Sequence, residues 1–401
     1  MSFVSPPSGM SSSSSGASPS PYPLEERVPG CLVGGAVGTA LGMPVEGVSL
    51  DGIRRRYGPS GLTDLVDGRA PAGAISGDAQ LMMLTAYGLV QASVRARSRG
   101  IGGAALGLLQ VAYLEWLKGQ GETVPDQGGL AGGWLLSVPA VTARRSPGRT
   151  LVSALHKAAE RRDPGRPLGT VDEPINDSKG CGGVTRTAPC GFSPVSARYA
   201  FKLGRDAAAL THGHPSGHLP GGVLAATVWG LVHGRSLPDA LAVARGELAN
   251  HPGHEETARA LDVATALVGE GEPTPERAES LGRGWMGEEA LAIGVYAALA
   301  AERHARTDGP GGVAALGGLG LLIAVNHSGD SDSTGLICGN LLGAAHGSEA
   351  FPRPWRDRLE VADAVTRLAA DCFLEFGPNP PADPGGWGGP PMSWMSRYFA
   401  S

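Results

Sequence analysis

The run Asn326-His-Ser-Gly-Asp-Ser-Asp-Ser-Thr-Gly335 holds the densest chemistry in this chain. Asp330 and Asp332 flank Ser331, and hydroxyls follow at Ser333 and Thr334. Carboxylates with hydroxyls are hard oxygen donors, suited to Mg2+, Mn2+ or Ca2+. The same residue types also cap helices, because Asp and Ser accept hydrogen bonds from the open amides of a first turn. One Asp suffices for a cap, and two are present. The DxDxxG order is not an EF-hand loop, because its twelfth position is Leu341 where a bidentate glutamate belongs.

Three further segments carry candidate chemistry. Ile75-Ser-Gly-Asp-Ala-Gln80 places Asp78 at another expected helix start, as a cap or as a ligand. The loop Asn176-Asp-Ser-Lys-Gly-Cys-Gly-Gly-Val-Thr-Arg186 is rich in glycine and contains Ser178 and Lys179. Backbone amides in such a loop can form an anion nest for phosphate. It is not a Walker loop, because the GxxxxGK[ST] order is missing. Thr211-His-Gly-His-Pro215, with His218 nearby, puts three histidines in a short span. Without a Cys or HExxH context, that span reads as a surface turn rather than a metal site.

These segments need elements to hold them. Apolar positions recurring at three and four predict helices over 80–97, 103–118, 195–210, 222–232, 238–250, 254–267, 288–301 and 359–373. Alternating strand patterns are nearly absent, and aromatic residues are only 5%. The expected fold class is all-α. Gly30, Gly34, Gly38 and Gly42 are four apart, and so are Gly335, Gly339, Gly343 and Gly347. On a helix each set shares one face, which opens a groove where another backbone can approach closely. A helical glycine costs roughly 1 kcal/mol relative to Ala, so several per helix imply a compensating gain in packing. We expect two central helices whose ends bring distant loops together.

Composition excludes other classes. Lys and Arg number 33 against 38 Asp and Glu, a net charge of −5, which gives no electrostatic case for nucleic acid. The best apolar runs, such as Cys31 to Val45, fall short of the ~20 residues of a membrane span, so no membrane partner is expected. Gly makes up 63 of 401 residues, but without the period of three that collagen needs. Five cysteines with no CxxC pair indicate neither a disulfide framework nor a zinc site, and a reduced, cytoplasmic setting follows. The Ser/Pro-rich residues 1–27 read as a disordered tail, residues 28–376 as one domain, and residues 377–401 as a Pro/Gly-rich tail. Trp387, Trp394 and Tyr398 suggest that this second tail docks.

Taken in order, these segments resemble the ADP-ribosylglycohydrolase family, also known from dinitrogenase reductase-activating glycohydrolases. Gly30 to Glu46 is similar to the family's opening helix and its glutamate. Ser76-Gly77-Asp78 stands where the family has Thr-Asp-Asp. Gly180-Cys-Gly-Gly-Val-Thr-Arg186 resembles its GNGxxMR substrate loop, and Thr211-His212 its TH turn. Gly329-Asp-Ser-Asp-Ser333 resembles its GDTDT metal loop. The resemblance implies an all-α fold with two adjacent Mg2+ or Mn2+ ions. It also implies hydrolysis of a glycosidic bond at C1″ of ADP-ribose, on an ADP-ribosylated protein or a small molecule.

Residue by residue, the resemblance makes Ser76, Asp78, Asp330, Asp332 and Ser333 the metal ligands. Glu46 and Asp78 become the catalytic carboxylates. Ser178, Lys179, Gly180, Cys181, Gly182 and His212 become the contacts to ADP-ribose. The sequence departs from the pattern at Gly77, in place of the first aspartate, at Ala79, in place of a threonine, and at Thr39, in place of the helix aspartate. Three metal-binding carboxylates remain where the family has four, which leaves two divalent ions with uncompensated positive charge. A degenerate site is therefore expected, on one or two ions. The alternatives are a non-catalytic ADP-ribose or NAD-derivative binder, or an enzyme for another ribosylated metabolite.

Overall fold

The structure is a computed structural model and describes residues 23–125, 133–145, 147–161, 166–307, 313–383 and 389–399. Helices dominate, and among the described residues there is no strand. One isolated antiparallel bridge joins Gly180 to Met286. Six helices position the site: α1 (Leu24–Gly42), α2 (Gly77–Arg99), α3 (Pro215–Val232), α4 (Gly287–Thr307), α5 (Val313–Val325) and α6 (Ser331–His346).

The two glycine rows interlock. A Cβ at Gly30 would strike Gly343 O, one at Gly34 would strike Gly339 O, and one at Gly38 would strike Gly335 O. At Gly42 the collision would be with Ser331 O. The pairing runs antiparallel, backbone against backbone. It sets the end of α1, and hence Glu46, beside the start of α6 with Asp330 and Asp332. Every residue of α6 from Ser331 to Ala345 is buried, as expected of a helix at the centre of a domain.

The expected helices are present with shifted ends, as hydrogen-bonded boundaries seldom coincide with the last apolar residue. The predicted 222–232 segment begins earlier, at Pro215, because Pro220 and the glycines in its first turns mask its helical pattern. Helices outside the expected segments include Leu50–Tyr57, Arg149–Ala159 and Val313–Val325. The last of these is apolar or glycine throughout and so has no polar face to reveal a period.

Most of the expected N-terminal tail lies outside the described residues. Its boundary at 27 is too late, since 24–27 form the first turn of α1 and Arg27 is buried. At the other end, Met392–Tyr398 is a helix that buries Trp394 and Tyr398. Tyr398 Oη donates to Asp371, and Gln91 Nε2 donates to Tyr398 O at 2.7 Å. Trp387 lies outside the described residues.

Candidate functional site

A cavity of about 310 Å3 opens where the ends of α1, α2 and α6 meet the glycine-rich loop. Glu46, Ser76, Asp78, Asp330 and Asp332 line it, together with Gly180, Cys181, Gly182 and His212. Thus Asp78 and Asp330, far apart in sequence, face one space. Ser333 reaches the cluster through its Oγ, which donates to Asp78 Oδ2 at 3.3 Å. Ser178 and Lys179 stand behind the lining. Ser178 Oγ accepts from Gly180 N at 3.2 Å, and Lys179 Nζ turns away to pair with Glu256 at 2.8 Å.

Backbone hydrogen bonds fix the acidic loop. Asn326 Oδ1 accepts from Leu62 N at 2.7 Å, and its Nδ2 donates to Leu62 O at 3.0 Å. Ser328 Oγ accepts from Leu50 N at 2.8 Å. Gly47 N donates to Gly329 O at 2.7 Å, which ties the Glu46 turn directly to the Asp330 turn. Asp330 N donates to Arg283 O at 2.8 Å. A Cβ at Gly329 would collide with that same carbonyl, so this position requires glycine. The glycine-rich loop is held on both sides, with Cys181 N donating to Trp285 O at 3.0 Å and Gly287 N to Lys179 O at 2.8 Å.

The capping explanation holds at one residue only. Asp330 is the N-cap of α6, and its Oδ1 accepts from Ser333 N. Ser76 occupies the N-cap position of α2 but makes no capping bond. Its Oγ is buried without a partner, and so is Asp332 Oδ1. Asp78 accepts from Thr185 Oγ1 at 2.9 Å and from Ser333 Oγ. A buried hydroxyl and a buried carboxylate oxygen without well-formed hydrogen bonds, with the carboxylates of Asp78 and Asp330 beside them, are costly as they stand.

The electrostatics agree with that cost. Burial, then the charges of Asp330 and Asp78, push Asp332 well above the usual carboxylate range. Burial raises Asp330 to about 6, with the Asp78 charge adding to it. Asp78 is also raised by burial, against hydrogen bonds from Thr185 and Ser333 and the Arg186 charge. Glu46 is raised to about 7 by burial and by Asp332 and Asp78, against Arg69. A carboxyl poised near neutrality is suited to general acid–base work.

The chain matches the ADP-ribosylglycohydrolase family model over residues 20–382. It belongs to the ADP-ribosylglycohydrolase family. A solved structure described as an ADP-ribosylglycohydrolase-related protein complex shares the fold, with a TM-score of 0.60 at 22% identity. That likeness covers 88% of this chain and 99% of the other. An uncharacterized protein of Archaeoglobus fulgidus is 39% identical over 74 residues, 17% of this chain and 23% of that relative. The chain therefore spans about a quarter of the length of this curated relative. No helix among the described residues is long and apolar enough to cross a membrane.

On this glycohydrolase scaffold the departures from the family pattern acquire surroundings. Gly77 lines the cavity. A Cβ there would meet Trp116 Cζ2 at 3.5 Å and Arg145 O at 3.8 Å, both ordinary contacts. Neither crowding nor a left-handed backbone demands glycine at this position. Thr39 is buried inside α1, with its Oγ1 donating to Ala36 O at 3.1 Å, and does not line the cavity. Among the described residues no group of three or more His, Cys, Asp or Glu forms a ready-made metal cage.

The histidine span is not the surface turn expected from sequence. Thr211, His212 and His218 are buried. The three histidines also separate. His212 joins the cavity, His214 caps α3 by accepting from Ser216 N at 3.0 Å, and His218 lies in α3 itself. Burial and the Arg186 charge push His212 down to about 3, so it stays neutral near pH 7. Its Nδ1 faces Thr211 Oγ1 at 2.8 Å.

Residues with no sequence signal complete the walls. Trp285, partly exposed, offers a flat apolar face, and Arg145 is held by Glu360 through two contacts at 2.9 Å. Thr185, whose hydroxyl steadies Asp78, looks in the sequence like any other member of a glycine-rich loop.

Proposed function

We propose that this glycohydrolase-family chain cleaves a glycosidic bond at C1″ of an ADP-ribosyl substrate with the help of bound Mg2+ or Mn2+. The observation that carries this reading is the convergence of Asp78, Asp330 and Asp332 with Glu46 on one cavity. Hard oxygen donors with unsatisfied atoms, at Ser76 and Asp332, match the preferences of these ions. Ser76, Asp78, Asp330, Asp332 and Ser333 would hold them. A bound divalent ion polarises oxygen and raises the nucleophilicity of water.

The chain's own residues supply the remaining steps. Glu46, half-buried beside Asp78 and Asp332 on the cavity wall, is placed to move a proton on the attacking water or the leaving group. Gly180 and Gly182, which have no side chains to block the approach, and the neutral ring of His212 form the wall for the ribose. Trp285 suits a stacked base. Arg149, exposed at the cavity edge, suits a diphosphate.

The test is release of free ADP-ribose from arginine-linked, serine-linked and small-molecule ADP-ribosides, with Mg2+, Mn2+ or a chelator present. Metal-dependent release from one linkage, lost in Asp332→Asn, is expected. Gly77 favours a second reading, an ADP-ribose binder without turnover. Tight ADP-ribose binding with no release from any linkage would decide for the binder.

A further inference from the structure

The thiol of Cys181 stands inside the acidic cluster. Its Sγ donates to Asp330 Oδ2 at 2.8 Å and receives the Ser333 hydroxyl at 3.7 Å. It lines the cavity together with Asp78 and Asp332. The other four cysteines are buried away from this cavity. Asp332 Oδ1 and Ser76 Oγ, which lack a hydrogen bond of normal geometry, share the same space in residues only 5% exposed, and oxygen donors so placed suit a cation.

We infer that Cys181 is a metal ligand and the fourth anionic group of the site, in place of the carboxylate missing at Gly77, and that its edge of the site takes a borderline-soft ion such as Zn2+, Fe2+ or Co2+. This rests on the metal-dependent reading above. Thiolate selects softer divalent ions, whereas carboxylate and hydroxyl alone favour Mg2+ and Mn2+. When the sulfur–metal bond forms, the Sγ–H bond breaks and its proton passes to solvent through the open cavity. Three carboxylates and one thiolate then balance two divalent charges. The oxygen donors Ser76, Asp78 and Asp332 keep the character of a Mg2+ or Mn2+ position.

The test titrates metal-free full-length protein with Co2+ and follows both heat and absorption. A sulfur-to-cobalt charge-transfer band is expected in the wild type. It should vanish in Cys181→Ser and Cys181→Asn, with Co2+ and Zn2+ affinity down at least ~10-fold and Mn2+ affinity falling several-fold less, because a thiolate ligand is replaced by an oxygen donor. Circular dichroism melts confirm that both variants are folded. Co2+ binding without the band, or a band that survives in both variants, overturns the assignment of Cys181 and leaves the metal-dependent reading intact. Failure of Co2+, Zn2+, Mn2+ and Mg2+ all to bind overturns both.

Discussion

Thr185 Oγ1 donates a hydrogen bond to Asp78 Oδ1 at 2.9 Å, joining the glycine-rich loop to the first turn of α2. Asp78 is half-buried and is otherwise held by Ser333. The Thr185 hydroxyl therefore sets both the direction and the charge of the carboxylate.

Thr185→Val keeps the shape and removes that donor. A hydrogen bond to a charged group contributes about 1.5–3 kcal/mol, so metal affinity should fall roughly 10- to 100-fold. Asp78 should also titrate higher, since the lost bond favoured its ionised form. Thr185→Ser should restore most of the affinity. Calorimetric titration with Mn2+ across pH reads both effects, and equal affinity in Val and wild type would remove Thr185 from the site.

The contact between α1 and α6 makes a sharper stability prediction. Gly38→Ala would push a methyl into the Gly335 carbonyl, where backbone rather than a flexible side chain must yield. Overpacking costs about 1–3 kcal/mol or more, and here it would also separate Glu46 from Asp330. Gly246, in the helix Leu237–Leu248, has open space where its Cβ would be. Gly246→Ala should stabilise by about 0.5–1 kcal/mol. Thermal melts of the two variants should move in opposite directions, and a tolerated Gly38→Ala would contradict the interlocked backbones.

His327 gives the chain an acid-sensitive element. Its ring is fully buried, with Nε2 against Thr334 Oγ1 at 2.9 Å, and burial pushes it down from 6.5 to about 4. Between these values the unfolded chain holds the proton and the folded chain does not. The contribution of His327 to stability is therefore lost as pH falls from about 6.5 toward 4. Asp330 and Glu46, both raised, act in the opposite direction, so the informative quantity is a difference between proteins. The stability advantage of wild type over His327→Gln should shrink by about 2 kcal/mol between pH ~7.5 and ~5. Denaturant titrations at both pH values measure it, and a constant difference would mean that the ring titrates normally.

The sequence revealed the two glycine helices because a spacing of four projects onto one helical face whatever the tertiary structure. It revealed Asp78, Asp330 and Asp332 because acidic residues with hydroxyls at helix starts are a local pattern. Thr185 and Trp285 were not legible, since each matters through a contact with a segment more than a hundred residues away or through a cavity wall. The burial of His212 was misjudged for a related reason. Its neighbours Gly213, Pro215 and Gly217 look like turn residues, whereas Gly217 permits close approach to the Ser178 carbonyl and Pro215 starts α3. The orphaned oxygens of Ser76 and Asp332 depend on three-dimensional burial and have no signature in sequence.

Gly77→Asp tests whether the missing carboxylate limits the site. The first turn of α2 accepts a side chain there, because a Cβ would meet Trp116 and Arg145 only at ordinary distances. An acidic residue also suits a helix N-terminus. In the metal-free chain a further negative charge would join carboxyls that burial and mutual repulsion already hold above their usual range. The variant should therefore melt lower than wild type without metal and gain more on adding Mn2+. Its Mn2+ affinity should rise at least ~10-fold, since a direct carboxylate ligand outweighs outer contacts whose loss costs 10–100-fold. Combined with Cys181→Asn, it should shift the site from thiolate-binding ions toward Mg2+ and Mn2+. If Gly77→Asp leaves Mn2+ affinity unchanged and weakens ADP-ribose binding, the glycine serves to admit ligand and the cavity is complete without a fourth carboxylate.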